Sequence, residues 1–577
     1  MKSPRLWVGL LLISAAIAAV YHPALSFPLV WTDHAEIEEK VLVPLNASEV
    51  WNALTLPKGR AKVALREAFQ AAARSSGYAY FRPMQDLTYG LDQLTGGGSA
   101  QSFHLTNLLL HAAFCLMSLL FVRALFAERF PYLAEAIALW QALAPVHVEP
   151  VVWVSARVDL LWGLGMMTGL WLLARPALES PRAWLRPLGL LALTLFVAES
   201  KETGLVCVPI FLVFLSLTPG ESKPADRTRR VLGLALAIGL GAALYLLHRF
   251  LVVRDLQPGA LFQKSGPGLW TLLHLFGLNL LQSVVPTGLT VADAVEIATG
   301  PDWLGVLGPL LWLVWLGLGL RHRARSFVPL FCAIGWICSI APVSQLIPLL
   351  QPRGERYLYV PSFFAELAIG YAFALLLQRV SAPALKKALC LAVLASLGAL
   401  APLSIQRAMT WADERVLFQN AVREVPQCAE CWNNLAYAEA VRGNYPAAAS
   451  ACLRSLAVDR TRIRCARDGL SVRLILINAL LEMGKGAPAL PWIADLIAHG
   501  GPSPASLELL ARALLYERKT LAALLVIQEI ERRAPAALDP SLTSLARGQI
   551  SQGLTLWVEP TLWIFPLPDL HGLAKDF

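Results

Sequence analysis

Charged residues are scarce in this chain. Only 15% of its 577 residues are charged, whereas 56% are hydrophobic, and the mean hydropathy is +0.54. Soluble globular proteins have roughly 25% charged and about 45–50% apolar residues. A water-soluble core of this length would divide into domains rather than keep absorbing apolar side chains. The composition therefore excludes an ordinary soluble protein and favours one that buries its apolar excess in a bilayer.

Three ligand-binding patterns are also missing. No D-x-D motif of the kind that holds a metal for a nucleotide sugar occurs in the predicted outer loops, so we predict no metal-ligating residues. The net charge of +9 is spread over short runs between apolar segments, which argues against nucleic-acid binding. The C-x-x-C pair Cys428 and Cys431 has no second pair or His pair beside it, which argues against a zinc site.

Long apolar runs dominate the first two thirds of the chain. A spanning helix needs roughly 20 mostly apolar residues, and the sequence predicts about eleven, the first of them uncleaved. Some are short, which fits helices that end below the membrane surface and leave a cavity. The predicted spans are 6–25, 103–122, 132–147, 154–174, 187–199, 204–219, 231–252, 303–320, 327–347, 357–377 and 388–405.

The basic runs predict the orientation. With eleven spans they all fall on one side, which the positive-inside rule makes cytoplasmic. This requires residues 268–285 to be a re-entrant or interfacial segment on the outer face. The N-terminus is then cytoplasmic. The C-terminal domain is periplasmic in a bacterial inner membrane, or lumenal in a eukaryotic endoplasmic reticulum. The runs are Lys2–Arg5, Arg123–Arg129, Arg175–Arg186, Lys223–Arg230, Arg321–Arg325 and Arg379–Lys387.

The C-terminal part has a mixed, helical composition. We predict a membrane domain over 1–405, with a long first outer loop (26–101), and a helical-repeat domain over 406–577. Seven residues hold positions typical of a tetratricopeptide (TPR) repeat: Trp432, Leu435, Ala436, Gly443, Tyr445, Ala448 and Leu456. Such repeats stack and present a concave surface for peptides or proteins.

Four cysteines crowd into this C-terminal part: Cys428, Cys431, Cys452 and Cys465. Their spacing predicts one or two disulfides and therefore an oxidising compartment. This agrees with a C-terminal domain outside the cytoplasm.

Ionisable residues gather at the predicted outer ends of the apolar segments, where burial in lipid is costly. Seven separate segments contribute them, which a purely structural membrane protein would not need. They are Asp33, His34, Arg82, His104, Asn107, His147, Glu149, Arg157, Asp159, Glu199, Lys201, Glu202, Gln351, Arg353, Glu355, Arg356, Tyr357 and Tyr359.

This set suits the transfer of a sugar from a lipid phosphate. Cations must hold the phosphate that leaves as an anion, and Arg356, Arg353 and Lys201 are the candidates. A carboxylate must take the proton from the acceptor hydroxyl, and Asp33 can face the outer aqueous side. The candidates to line the substrate are His34, Arg82, His104, Asn107, His147, Glu149, Arg157, Asp159, Glu202, Glu355 and Tyr357.

Structural roles remain open for several of these residues. Asp33 could be a helix cap or a surface acid, and Arg157 with Asp159 could be an internal ion pair. His104 and His147 could satisfy buried carbonyl groups. Glu199 and Glu202 could neutralise Lys201.

Several strings resemble one known family, the TMTC-type transmembrane and TPR-containing O-mannosyltransferases and their bacterial relatives within the GT-C superfamily. The resemblance covers most of residues 20–365. The matching strings are YFRPMQDLTYGLDQLTGGGSAQSFHLTNLLLH (80–111), APVHVEPVVWVSARVDLL (144–161), ESKETG (199–204) and ERYLYVPS (355–362).

The resemblance implies an all-α, polytopic GT-C fold and an inverting transfer of a sugar, typically mannose. The donor would be a dolichyl- or undecaprenyl-phosphate sugar and the acceptor a protein hydroxyl, with no covalently bound cofactor. Family members usually carry two adjacent acids after the first helix, whereas this chain has Thr32 and Asp33. The alternatives are a transferase acting on a lipid or glycan, and a non-catalytic TPR scaffold. A transporter is disfavoured because the polar residues do not continue to the cytoplasmic face.

Overall fold

The computed structural model describes most of the chain. The described residues are 4–34, 37, 82–126, 129–175, 184–218, 224–253, 268–292, 294–346, 349, 351–458, 463–464, 470–500, 502–533 and 540–551. Cys465 and most of the first outer loop lie outside them.

The described residues form two compact units, one within residues 4–420 plus 463–464 and the other within residues 421–551. The first unit therefore extends beyond the predicted boundary at residue 405. The reason is aromatic packing, because Trp411 stacks on Trp153 and Phe418 packs edge-on against Trp31.

The first unit is built from helices. In chain order they are α1 (Pro4–Tyr21), α2 (Pro83–Gly96), α3 (Ala100–Phe126), α4 (Leu133–Leu143), α5 (Val148–Val152), α6 (Arg157–Ala174), α7 (Leu185–Ser200), α8 (Cys207–Leu217), α9 (Pro224–Val253), α10 (Leu269–Gln282), α11 (Trp303–His322), α12 (Val328–Ile340), α13 (Pro361–Arg379) and α14 (Pro383–Met409). Helix α15 (Glu414–Glu424) crosses into the second unit.

The helices agree with a polytopic membrane protein. Each predicted span contains a helix among the residues that the structure describes. Among the described residues, six helices are long and apolar enough to cross a membrane: Leu6–Ser26, Ala100–Phe126, Arg227–Val252, Trp303–His322, Pro361–Arg379 and Pro383–Met409. A seventh span forms if Pro145–Val152 and Val154–Ala174, which are bent by 101° relative to each other, are counted as one. The four other predicted spans contain shorter helices.

The segment predicted to be re-entrant or interfacial contains α10, which has 14 residues. At 1.5 Å per residue it is about 21 Å long, less than the roughly 30 Å hydrocarbon core. It packs against α11 through Gly277 and Gly308, where a Cβ on either glycine would lie within 2.2 Å of backbone atoms of the facing helix. The two backbones are therefore in direct contact.

The bend between α5 and α6 positions the candidate site. Prolines at 145 and 150 and short 3-10 turns at Pro145–His147 and Val154–Ala156 interrupt the helix. A proline lacks an N–H and cannot continue the helical bonding pattern. Trp153 and the 3-10 turn that contains Ser155 therefore form a corner between the two α-helices, and Glu149 and Asp159 lie on the helices at either side.

One short ladder supplements the helices. Strand β1 (Val295–Glu296) pairs antiparallel with β2 (Ile463–Arg464), with Val295 opposite Arg464 and Glu296 opposite Ile463.

The described part of the second unit contains three helical pairs followed by one further helix. They are α16 (Ala429–Val441), α17 (Tyr445–Ala457), α18 (Leu470–Glu482), α19 (Gly486–Gly500), α20 (Pro504–Tyr516), α21 (Thr520–Arg533) and α22 (Pro540–Ser551). Gly443 turns the chain between α16 and α17 with φ 75°, a conformation that favours glycine. Cys428 and Cys431 form a disulfide at the start of α16.

Candidate active site

Asp33 lies against the corner between α5 and α6. Its Oδ1 accepts hydrogen bonds from the Ser155 backbone N–H at 2.7 Å and from the Ser155 hydroxyl at 2.6 Å. Its Oδ2 accepts from the Val30 N–H at 3.2 Å. The residue is fully buried. The Asp33 carboxylate, predicted from the sequence to be the base, thus joins the end of the first span to the corner.

A stack of tryptophans continues from Asp33 towards the candidate phosphate ligands. Trp31 stacks on Trp153 at 4.6 Å between ring centroids, and Trp153 stacks on Trp411 at 5.8 Å. The Arg356 guanidinium lies over the Trp153 ring at 5.1 Å. Trp31 has φ 57°, which strains a bulky side chain. Such strain persists when the surrounding packing fixes it, and the stack provides that packing.

The Glu149 carboxylate holds the 3-10 turn Glu355–Leu358 through a backbone N–H and a side chain of that turn. One oxygen pairs with Arg356 Nη1, and the other accepts the Glu355 N–H at 2.8 Å. Arg356 Nη2 also donates to Gln351 Oε1 at 2.6 Å. The position of this guanidinium is therefore fixed from two sides.

The Glu355 side chain pairs with a residue that the sequence analysis did not select. Arg407 near the end of α14 donates from Nη2 to Glu355 Oε1 at 2.6 Å and from Nε to Oε2 at 3.2 Å. Burial raises the pKa of Glu355 to about 7; the Arg407 charge opposes this rise and the Glu149 charge adds to it.

Lys201 is the second buried cation of the site. Its Nζ lies 2.5 Å from Asp159 Oδ1, which also accepts from Trp162 Nε1 at 3.0 Å. Burial lowers the pKa of Lys201; Asp159 opposes this change, and the charges of Arg82 and Arg356 add to it. The Tyr357 ring lies 5.4 Å from Lys201 Nζ and 4.7 Å from Arg356 Cζ, so one aromatic ring adjoins both cations.

A third group of charges is more open. Arg82 Nε and Nη2 each lie 3.3 Å from Glu202 Oε2, and Arg249 Nη1 lies 3.5 Å from Glu202 Oε1. These side chains are part-buried. A chain of contacts therefore links Arg356 and Lys201 to the segment that holds Asp33. Glu202, which pairs with Arg82, follows Lys201 directly in the chain.

Comparison with known proteins gives two curated relatives. The chain is 25% identical over 471 residues to the protein O-mannosyl-transferase Tmtc1 of Drosophila melanogaster, covering 64% of this chain and 53% of that protein. It is 24% identical over 399 residues to the protein O-mannosyl-transferase TMTC3 of Mus musculus, covering 62% of this chain and 42% of that protein. This chain resembles the TMTC-type protein O-mannosyltransferases. The resemblance drawn from the sequence strings is confirmed.

The chain spans about half the length of the TMTC relatives it matches. No family model matches it. Two solved structures of ArnT from Cupriavidus metallidurans are also similar. The form bound to undecaprenyl phosphate is 16% identical with a TM-score of 0.40, covering 87% of this chain and 82% of that one. The apo form is 17% identical with a TM-score of 0.39, covering 85% and 80%.

Several residues of the TMTC-like strings are buried in protein contacts. Arg157 is fully buried, with Nη1 2.6 Å from Asp92 Oδ2, Nε donating to Asn107 Oδ1 at 2.7 Å and Nη2 to the Phe103 carbonyl at 2.8 Å. Asn107 in turn donates to the Val151 carbonyl at 3.2 Å. Arg157 therefore pairs with Asp92 rather than with Asp159. Through their hydrogen bonds, Arg157 and Asn107 connect α2, α3, α5 and α6.

The two predicted histidines of the apolar half are also enclosed. His147 Nδ1 lies 2.8 Å from the Gln141 carbonyl, so it donates there, and Nε2 accepts from the Ser362 hydroxyl at 2.8 Å. His104 is 1% exposed on α3. His147 thus connects the end of α4 to α13, the structural role left open for it.

His34 and Arg353 lie at more exposed positions. His34 is 38% exposed, with Nε2 3.9 Å from Glu414 Oε2. Arg353 Nη2 donates to the Gly288 carbonyl at 2.6 Å. Arg356 and Lys201 adjoin the shared Tyr357 ring.

Sequence reasoning missed Ser155, Arg249, Arg407 and the three tryptophans. An arginine inside an apolar helix is itself a signal, and Arg249 on α9 satisfies it. Nothing in the sequence pointed to Ser155, since a serine at such a position is common. Among the described residues, no group of three or more His, Cys, Asp or Glu could hold a metal ion.

Proposed function

We propose that this protein is an inverting glycosyltransferase that moves a sugar from a polyprenyl-phosphate carrier to an acceptor hydroxyl at the outer face of the membrane. One observation carries the proposal. Two cations, Arg356 and Lys201, adjoin one aromatic ring, and a stack of aromatic rings leads from Arg356 to the segment that holds Asp33. The similarity to the TMTC proteins supports it.

The charges fit the two demands of such a reaction. A bond forms between the acceptor oxygen and the anomeric carbon, while the bond from that carbon to the phosphate oxygen breaks on the opposite face. Arg356 and Lys201 stabilise the departing phosphate, as fixed cations do best in a low-dielectric site. Asp33 takes the acceptor proton as general base.

The burial of Asp33 has a consequence for this mechanism. Because its carboxylate already accepts from Val30 and Ser155 and is covered, an acceptor must displace part of the segment around Trp31 to reach it. Backbone strain at Trp31 lowers the cost of such a movement. We infer that acceptor binding opens this segment.

The finer assignments follow the TMTC relatives. We propose mannose as the sugar and a Ser or Thr hydroxyl of a protein as the acceptor. In this proposal the second unit recruits or positions that protein. We further propose a cytoplasmic N-terminus and a periplasmic or lumenal second unit, in agreement with the disulfide between Cys428 and Cys431.

The proposal is tested with the full chain in lipid nanodiscs, given radiolabelled polyprenyl-phosphate mannose, then other lipid-linked sugars. We expect label in the protein fraction. Label in the lipid extract would point to a lipid or glycan acceptor instead. Absence of transfer with every donor would overturn the enzyme proposal and favour a scaffold.

Asp33→Asn tests the base. We expect loss of transfer with normal expression, because Asn keeps one oxygen acceptor for Ser155 but cannot take a proton. Asp302→Asn is the matched control, since Asp302 is a carboxylate that caps α11, accepting the Gly305 N–H at 2.7 Å, and has no place in the mechanism. Wild-type transfer by Asp33→Asn would remove Asp33 from the reaction.

A further inference from the structure

Two arginines from different elements converge on one carboxylate in the first unit. Arg82 precedes α2, Arg249 lies near the end of α9, and Glu202 follows Lys201. The guanidinium nitrogens approach Glu202 at 3.3 and 3.5 Å. Neither the sequence strings nor the mechanism above uses Arg249.

This group is looser than the other ion pairs of the site. Charge-assisted N–H···O bonds are typically about 2.7–2.9 Å long. Lys201 to Asp159 is 2.5 Å, and Arg407 to Glu355 is 2.6 Å. All three contacts to Glu202 exceed the typical range, so each of them is longer than the ion pairs beside it.

The group is also more accessible. The side chains of Arg82, Arg249 and Glu202 are 15%, 18% and 27% exposed, whereas those of Lys201 and Asp159 are 8% and 1% exposed. An incoming anion can reach the open arginines. Displacing Asp159 from Lys201 would instead strand a buried carboxylate, which is costly.

We propose that Arg82 and Arg249 bind the phosphate of the lipid-linked donor beside Arg356 and Lys201, which stabilise it as it departs, and that Glu202 pairs with the two arginines until the phosphate replaces it. The inference rests on the proposed function and extends it. A phosphodiester offers guanidinium groups the same negative oxygens as a carboxylate, in a geometry that suits bidentate pairing. Lys201, next to Glu202 in the chain, lies close enough for the Arg82 charge to affect it.

The exchange also predicts that the site rejects uncharged lipids. A neutral polyprenol brings no charge to compensate the arginines when Glu202 leaves, so it cannot displace the carboxylate. A phosphate replaces the charge it removes. Selectivity for an anionic headgroup therefore follows from the presence of Glu202, not only from the arginines.

The test measures binding of undecaprenyl phosphate to the full chain in phosphatidylcholine nanodiscs, with undecaprenol as the neutral comparison. Arg249→Gln removes one guanidinium group. We expect undecaprenyl phosphate to bind about tenfold more weakly, or more, which is the factor that corresponds to a lost charge-assisted hydrogen bond. Glu202→Gln removes the competing charge, and we expect tighter binding. Arg229→Gln is the matched control, an exposed arginine at the other end of α9, with unchanged binding.

The opposite results overturn the inference. Wild-type affinity of Arg249→Gln would exclude Arg249 from the site, and weaker binding by Glu202→Gln would give Glu202 a structural role. If Arg249→Gln does not fold, Arg249→Lys provides the test, because it keeps the positive charge but lacks the guanidinium group. Wild-type affinity of Arg249→Lys would then refute the proposed pairing.

Failure of the proposed function has a different signature. In that case undecaprenyl phosphate binds with the predicted order among the variants, yet wild-type protein transfers no sugar. If the wild type transfers sugar and Arg249→Gln does so with the same donor KM, the enzyme proposal stands and the phosphate site is wrong.

Discussion

One oxygen of the Asp33 carboxylate accepts two hydrogen bonds from Ser155, a residue 122 positions later in the chain. This contact fixes the end of the first span against the corner between α5 and α6. The orientation of the proposed base thus depends on a serine outside its own segment.

Ser155→Ala tests that dependence. The substitution leaves the backbone N–H bond but removes the hydroxyl donor to a carboxylate, a bond worth about 1.5–3 kcal/mol. We expect lower thermal stability and a reduced kcat with little change in donor KM. Ser396→Ala is the control, because the Ser396 hydroxyl is exposed on α14 and bonds within its own helix. Equal behaviour of the two variants would argue against a positioning role for Ser155.

Arg157→Met tests whether this arginine is structural. Removing it leaves Asp92 buried without the cation 2.6 Å away, and breaking a buried pair costs about 3–5 kcal/mol. We expect a large loss of thermal stability and of monodispersity in detergent. The double variant Arg157→Met with Asp92→Asn should recover much of it, since no charge is stranded. A stable single variant with altered donor KM would instead place Arg157 at the substrate.

Gly277→Ala tests the direct contact of α10 with α11. The added Cβ would lie 2.0 Å from the Leu304 carbonyl oxygen, so the helices must separate, at a cost of about 1–3 kcal/mol for overpacking. Thermal unfolding of the full chain should show this loss. Gly317→Ala, on α11 but with no atom within 4 Å of its Cβ position, should be neutral or slightly stabilising. A neutral Gly277→Ala would mean that the two helices do not touch there.

A pH dependence is expected in the second unit at Glu529. Hydrogen bonds from Arg532 and then Arg533 lower the pKa of Glu529 from its ordinary 4.5 to about 2. Because the folded state favours the ionised form, the stabilisation is complete above about pH 4.5 and is lost as the pH falls towards 2. Hydrogen exchange of α21 should therefore be faster in Glu529→Gln than in wild type at neutral pH, with the difference shrinking in acid.

Glu531→Gln provides the comparison for this experiment. Glu531 is exposed on the same helix, and its loss should leave the exchange of α21 unchanged. A difference between wild type and Glu529→Gln that persists at pH 2 would show that the effect does not come from ionisation.

The sequence by itself determined the class of the protein and the positions of its helices. Apolar runs of membrane length must be helical in lipid, because every backbone polar group has to be satisfied within the segment. It also identified Asp33, Lys201 and Arg356 as residues of interest, since ionisable side chains beside such runs are costly unless they serve a purpose.

Only the tertiary structure decided which of these residues contact one another. The sequence does not distinguish a buried arginine that faces a substrate from one that faces an internal carboxylate. In the structure Arg157 pairs with Asp92. The structure also identified three residues by their contacts with partners far away in the chain: Ser155, Arg249 and Arg407. Local pattern fixes where a side chain leaves the helix, whereas the packing of distant segments fixes which charge it meets and how much water remains around it.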